Sequence, residues 1–157
     1  MSFNFNLKHI AIVFFPLLIG TLVACTNTGS VSQGNVTAQS EKECGDLLKQ
    51  FGTTPDQLEF VECSPAHAPQ VASIARYRVP GAQAGIVEDF LNKEYGMNSL
   101  QFVCCGWEPK EGVPGSLTVP GHYFSISMHS EETLMNDRTK WSELPFFYVD
   151  VEELINI

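Results

Sequence analysis

The chain has 157 residues, enough for one domain with a core of its own and too few for two. Apolar residues make up 44% and charged residues 17%, which excludes disorder of the whole chain. Nine Lys and Arg against eighteen Asp and Glu leave a net charge of −9, and that excludes a general DNA or RNA binder, which needs clustered cations to displace counterions.

At the start of the chain, Lys8 precedes an apolar run from Ile10 to Val23, which Ala24 and Cys25 follow. A spanning helix needs about 20 apolar residues, more than this run supplies, and Pro16 interrupts it. Residues 1–24 therefore read as a signal peptide. The string Leu22-Val23-Ala24-Cys25 resembles the bacterial lipobox, in which the cysteine receives a diacylglycerol and becomes the new N-terminus after cleavage. That resemblance implies a palmitate-bearing membrane lipoprotein held through Cys25, and loss of Lys8 deepens the acidic excess. Thr26 in place of an aspartate favours the outer membrane, facing the periplasm, in a Gram-negative host; a Gram-positive host would place the chain on its outer surface. Residues 25–40 hold the lipidated cysteine and a flexible tether, TNTGSVSQGNVTAQS, with no charge, aromatic or proline.

Residues 41–157 read as a single domain. A first helix is expected over Glu41 to Phe51, capped by Ser40 with Glu43 three positions on and stopped by Gly52. Alternation predicts strands at Leu58 to Cys63 and Val71 to Val79, with Ala75, Tyr77 and Val79 on one face and Arg76 and Arg78 on the other. A second helix over Ala82 to Tyr95 carries Ile86, Val87, Phe90 and Leu91 as its apolar stripe, with Glu88 and Asp89 on a solvated face and Gly96 as its stop. Leu100 to Trp107 is apolar on both faces and reads as a central strand covered twice. Glu108 to Gly121, rich in proline and glycine, reads as an irregular loop. His122 to Ser130 alternates strictly, with Phe124, Ile126 and Met128 inward and Tyr123, Ser125, Ser127 and His129 outward. Turns or a short helix precede a last strand over Phe146 to Val151. The order argues an α+β fold: a mainly antiparallel sheet of about four to five strands with two main helices, stapled by disulfides.

Besides Cys25, four cysteines remain, Cys44, Cys63, Cys104 and Cys105, and in an oxidising compartment two disulfides are expected. Neighbours in a strand point to opposite faces, which favours crossed pairings of Cys104 and Cys105 with Cys44 and Cys63; the pairing Cys44–Cys63 with Cys104–Cys105 stays open. The string Cys104-Cys105-Gly106-Trp107-Glu108, with Tyr77-Arg78-Val79-Pro80-Gly81, Ala84, Val87-Glu88 and Leu91 before it, resembles a family of uncharacterised bacterial lipoproteins known only as a domain of unknown function. It implies no activity or catalytic residue.

Chemistry-bearing motifs are sparse. Neither Gly-x-Ser-x-Gly, nor a phosphate-cradling glycine loop, nor Cys-x-x-Cys occurs, and the histidines lack zinc-ligand spacing, so no catalytic residue, metal or cofactor is assigned. His67 reads as a surface residue, and His122 and His129 fall on opposite strand faces. The outward residues Arg76, Arg78, Tyr123, Ser125, Ser127 and His129 form a candidate binding surface. The expectation is a non-enzymatic protein-binding module, an immunity or inhibitor protein taking a basic protein partner, with an envelope-maintenance or assembly lipoprotein and a thiol or hydrolytic enzyme as the alternatives.

Overall fold

The computed structural model describes residues 44–155. The expected signal peptide, the expected lipidation site Cys25, the expected tether and the expected Ser40 cap lie outside those residues. The chain runs through a short helix α1 (Leu47–Phe51), strands β1 (Glu59–Pro65) and β2 (Val71–Pro80), helix α2 (Ala84–Tyr95), strands β3 (Leu100–Val103), β4 (Gly106–Pro109), β5 (Gly115–Val119) and β6 (His122–Ser130), a 3-10 turn at Arg138–Glu143, and β7 (Phe146–Leu154). Five strands form one antiparallel sheet in the order β1-β2-β7-β6-β5, and β3 pairs with β4 as a separate hairpin.

The architecture is mainly antiparallel, as expected, but it has seven strands where four to five were anticipated. Two local causes account for the difference. The expected central strand over Leu100 to Trp107 folds back on itself at Cys104-Cys105, so that Phe102 faces Trp107 across the hairpin with ring centroids 5.6 Å apart. The expected loop over Glu108 to Gly121 contains β5, joined to β6 by Pro120-Gly121 with φ 82 at Gly121, where a left-handed residue closes a tight turn.

The first helix is shorter than expected: Cys44 to Asp46 are not helical. Asp46 caps it instead, accepting the Lys49 N–H at 3.1 Å through its side chain. Cys44 is bonded to Cys63 of β1, with Cα atoms 5.4 Å apart, so Cys44 and Gly45 are tied to the sheet. A loop of this size stabilises by about 3 kcal/mol in the chain-entropy model. The Tyr77 hydroxyl, reaching out of β2, donates to Asp46 Oδ1 at 2.8 Å and accepts the Leu48 N–H at 2.9 Å. Burial, helped by the Asp46 carboxylate, pushes the Tyr77 pKa well above its ordinary value and keeps it a donor.

Alternation puts Ala75, Tyr77 and Val79, Phe124, Ile126 and Met128, and Phe147, Val149 and Val151 on the inner face of the sheet, all buried. Against them pack Leu47 and Leu48 of α1, Ala84, Val87, Leu91 and Tyr95 of α2, and Met97, Leu100, Trp107 and Trp141. Ile86, read as part of the α2 stripe, is exposed, and Glu88 is buried in its place. Gly96, in the left-handed conformation at φ 73, ends α2 as expected. Gly81 has a steric role: a Cβ there would overlap the carbonyl oxygens of Trp141 and Leu144, so this glycine lets the entrance of α2 close onto the 3-10 turn.

Candidate recognition surface

The side of the sheet away from the core collects every outward residue that alternation singled out. Strand β7 lies between β2 and β6, so its own outward residues complete the rows. Glu62, Arg76, Asp150 and Ser127 stand opposite one another across β1, β2, β7 and β6. The next rows hold Glu59, Arg78, Tyr148 and His129, and, on the other side, Ile74, Glu152 and Ser125. Tyr123, paired with Leu154, ends the face and is exposed. Arg76, Arg78, Tyr123, Ser125, Ser127 and His129 therefore share one surface.

Asp150 is its electrostatic centre. Arg76 donates to both of its oxygens, Nε to Oδ1 at 2.8 Å and Nη2 to Oδ2 at 2.9 Å, and His129 Nε2 lies 3.2 Å from Oδ2. Burial would raise the Asp150 pKa, but the hydrogen bonds from His129 and Arg76 outweigh it and hold the carboxyl at about 2. Its hydrogen bond to Asp150 raises the His129 pKa above the ordinary imidazole value despite burial. Arg78 pairs with Glu59 through two bonds, 2.8 and 3.0 Å, and lies 4.8 Å above the Phe146 ring. The Tyr148 hydroxyl donates to Glu131 at 3.0 Å, and its ring stacks on His129 at 5.9 Å. Five carboxylates, Glu59, Glu62, Glu131, Asp150 and Glu152, thus meet two arginines and one histidine. The arginines are already engaged by Asp150 and Glu59, and the excess on this face is negative.

His122 sits on the opposite side of the sheet from His129, as odd spacing along a strand requires. Its Nδ1 lies 2.7 Å from Glu153 Oε1, while Ser73 Oγ donates to Glu153 Oε2 at 3.1 Å. The carboxylate stands between hydroxyl and imidazole. A nucleophilic serine needs the imidazole on its own hydroxyl, so this cluster is arranged to fix the sheet end rather than to activate Ser73. His67 is exposed in the loop between β1 and β2. Among the described residues, no group of three or more His, Cys, Asp or Glu side chains is gathered in a way that would hold a metal ion.

The cysteines depart from the expected two bridges. Only Cys44–Cys63 is bonded among the described residues, so the crossed pairings do not form; Cys104 and Cys105 are free thiols at the β3–β4 turn, with sulfurs 2.9 Å apart. The turn replaces the regular strand on which the crossed pairing was argued. Sequence reasoning also missed Asp150, Tyr148, Glu59 and Glu131. The alternation of Phe146, Tyr148, Asp150 and Glu152 against Phe147, Val149 and Val151 carried the signal for β7, but only the strand order shows that β7 lies between the two expected halves of the surface.

Neither a search of curated proteins nor a search of solved structures found a match to this chain. The family model of a domain of unknown function, DUF4952, matches residues 33–107, which takes in α1, β1, β2, α2, β3 and the start of β4, and stops short of β5, β6 and β7. Residues 33–107 thus hold a domain of unknown function, and four of the six candidate surface residues, Tyr123, Ser125, Ser127 and His129, lie beyond it.

Proposed function

We propose that the chain is a lipid-anchored bacterial envelope protein that works as a non-enzymatic binding module, using the outward face of its sheet to dock a basic protein in the manner of an immunity or inhibitor protein. The observation that carries this reading is the excess of carboxylates over arginines around Asp150, bordered by the exposed ring of Tyr123. A negative face steers a cationic partner during encounter and disfavours acidic ones, while a partly exposed tyrosine supplies contact area at small entropic cost. The lipid on Cys25 and the tether over residues 26–40 would present that face at the membrane, on the periplasmic side of the outer membrane.

The test is a photocrosslinking side chain at Ser125 of the full-length chain in its native envelope. The expected product is one basic protein in near-stoichiometric yield, with capture falling at least tenfold in the double variant Glu62→Lys, Glu152→Lys and in high salt. Capture of resident envelope machinery, unaffected by either change, overturns the capture reading in favour of envelope maintenance or assembly.

A further inference from the structure

The docking face makes no use of Cys104 and Cys105. These two residues are the whole link between β3 and β4, since Val103 and Gly106 are already paired. Cys104 has φ 54, and the carbonyl of Val103 accepts the Cys105 N–H at 2.7 Å. An i to i+2 bond around a residue of positive φ is a γ-turn of the rare, strained hand, and non-glycine residues are held in it only where the surroundings enforce it. Here they do. The Cys105 carbonyl accepts the Thr133 N–H at 2.7 Å, the Trp107 N–H donates to Ser130 Oγ at 2.9 Å, and the Trp107 indole N–H donates to the Met135 carbonyl at 2.9 Å. In an extended strand the two side chains would point apart. In this turn the sulfurs lie 2.9 Å from each other, with Cys104 exposed and Cys105 half-buried.

We propose that Cys104 and Cys105 form a thiol–disulfide exchange site, which closes to a vicinal disulfide by reaction with a disulfide oxidant. The Cys104 thiolate, on the exposed side, attacks one sulfur of the oxidant R–S–S–R; a Cys104–S–S–R bond forms and one RS⁻ leaves. Cys105 then gives its proton to that RS⁻ and attacks the Cys104 sulfur, forming the Cys104–Cys105 bond and releasing the second RS⁻, which takes up the proton that Cys104 lost. Two protein thiols are oxidised, and one disulfide is reduced to two RSH. The order of events follows from the surroundings. Cys105 shares a hydrogen bond with the Cys104 sulfur and lies near Glu132, both of which raise its pKa and keep it protonated until Cys104 has reacted. Ring closure is intramolecular, with the second sulfur already in contact, so it outruns attack by a second oxidant molecule.

The tryptic peptide 94–110 contains both cysteines and no other, so its mass reports this site whatever the state of Cys44 and Cys63. The full-length chain is incubated with oxidised glutathione, quenched with N-ethylmaleimide and digested. The expected peptide is lighter than the reduced one by two hydrogens and carries no label, and dithiothreitol restores two labelled thiols. In Cys105→Ser, Cys104 is expected to retain one glutathione as a mixed disulfide. A wild-type peptide that stays doubly labelled, or that holds glutathione at equilibrium, overturns the proposal. Loss of the docking activity has no bearing on this readout, so the two ideas fail separately.

Discussion

Glu88 shows how a single side chain can satisfy the helix period and still be misread. The buried positions of α2, Ala84, Val87, Glu88, Leu91 and Tyr95, follow the i, i+3, i+4, i+7 spacing of one helix face. Glu88 falls on that face, but its charge argued for solvent, and Ile86 was read into the stripe instead. The outcome turned on a partner 50 residues later. Arg138 donates to both Glu88 oxygens, at 2.6 and 2.8 Å, and to the Leu100 carbonyl, while Glu88 also accepts the Leu100 N–H at 2.5 Å. The guanidinium lies over the rings of Trp141 and Trp107, so one buried carboxylate joins α2, β3 and the 3-10 turn. Glu88→Ala would leave the buried Leu100 N–H without its acceptor and Arg138 without its counter-charge. Arg138 is half-exposed and regains some water, which sets the expected loss at about 2–4 kcal/mol, toward the lower end for broken buried pairs. Glu88→Gln keeps an acceptor for Leu100 and is expected to lose less. Urea unfolding checks both: the midpoint falls in the order wild type, Gln, Ala at constant m-value, and equal midpoints for Gln and Ala would show that charge alone matters.

At the scale of elements, alternation proved a sound guide to faces and a poor one to neighbours. The inward sets of β2 and β6 are buried as read, because period two assigns sides without reference to partners. The reversal at Cys104-Cys105 was illegible, since the run from Leu100 to Trp107 contains no Asn, Asp, Gly or Pro before Gly106 to mark a two-residue turn. The Pro120-Gly121 turn did carry such a mark, and β5 was hidden only by the other prolines and glycines around it. The insertion of β7 between β2 and β6 creates a feature of the surface with a predictable pH response, the Arg76–Asp150–His129 network that spans three strands. The folded Asp150 pKa, about 2, is depressed, so its contribution is complete above the unfolded carboxylate value of about 4 and is lost as pH falls toward 2. His129 is shifted the other way: its contribution is complete below the unfolded imidazole value of about 6.5 and fades as pH rises through its higher folded value. Asp150→Asn is therefore expected to lose about 1–2 kcal/mol at pH 5, where both terms are present, and almost nothing at pH 2, after allowance for the solvent exposure of Arg76. Chemical denaturation at the two pH values checks it, and a deficit that is the same at both would remove Asp150 from the network.

For the whole molecule, the lipid anchor we propose at Cys25 and the acidic sheet face belong to different parts of the chain, the first outside the described residues and the second within them. No helix among the described residues is long and apolar enough to cross a bilayer, and the apolar run from Ile10 to Val23 is itself short of the roughly 20 residues a span requires. On our reading the anchor is covalent, with the acyl chains on Cys25 supplying about 0.8 kcal/mol per buried CH₂ and more than one chain making attachment stable. The two halves of that idea are separable. Cells fed an alkyne-tagged fatty acid should yield a wild-type chain that is both tagged and cut to a mature form beginning at Cys25. Cys25→Ser should carry no tag, and because cleavage at a lipobox follows acylation, it should also keep residues 1–24. Membrane association alone is a poor readout, since the uncut apolar run would hold the variant at the bilayer by another route. The decisive signal is therefore the tag together with the mass: a Cys25→Ser chain that is still tagged would move the lipid to another residue, whereas a wild-type chain cut elsewhere and untagged would detach the domain from any lipid and leave the acidic sheet face free in solution, where steering by charge, not confinement to a surface, would set how often it meets a basic partner.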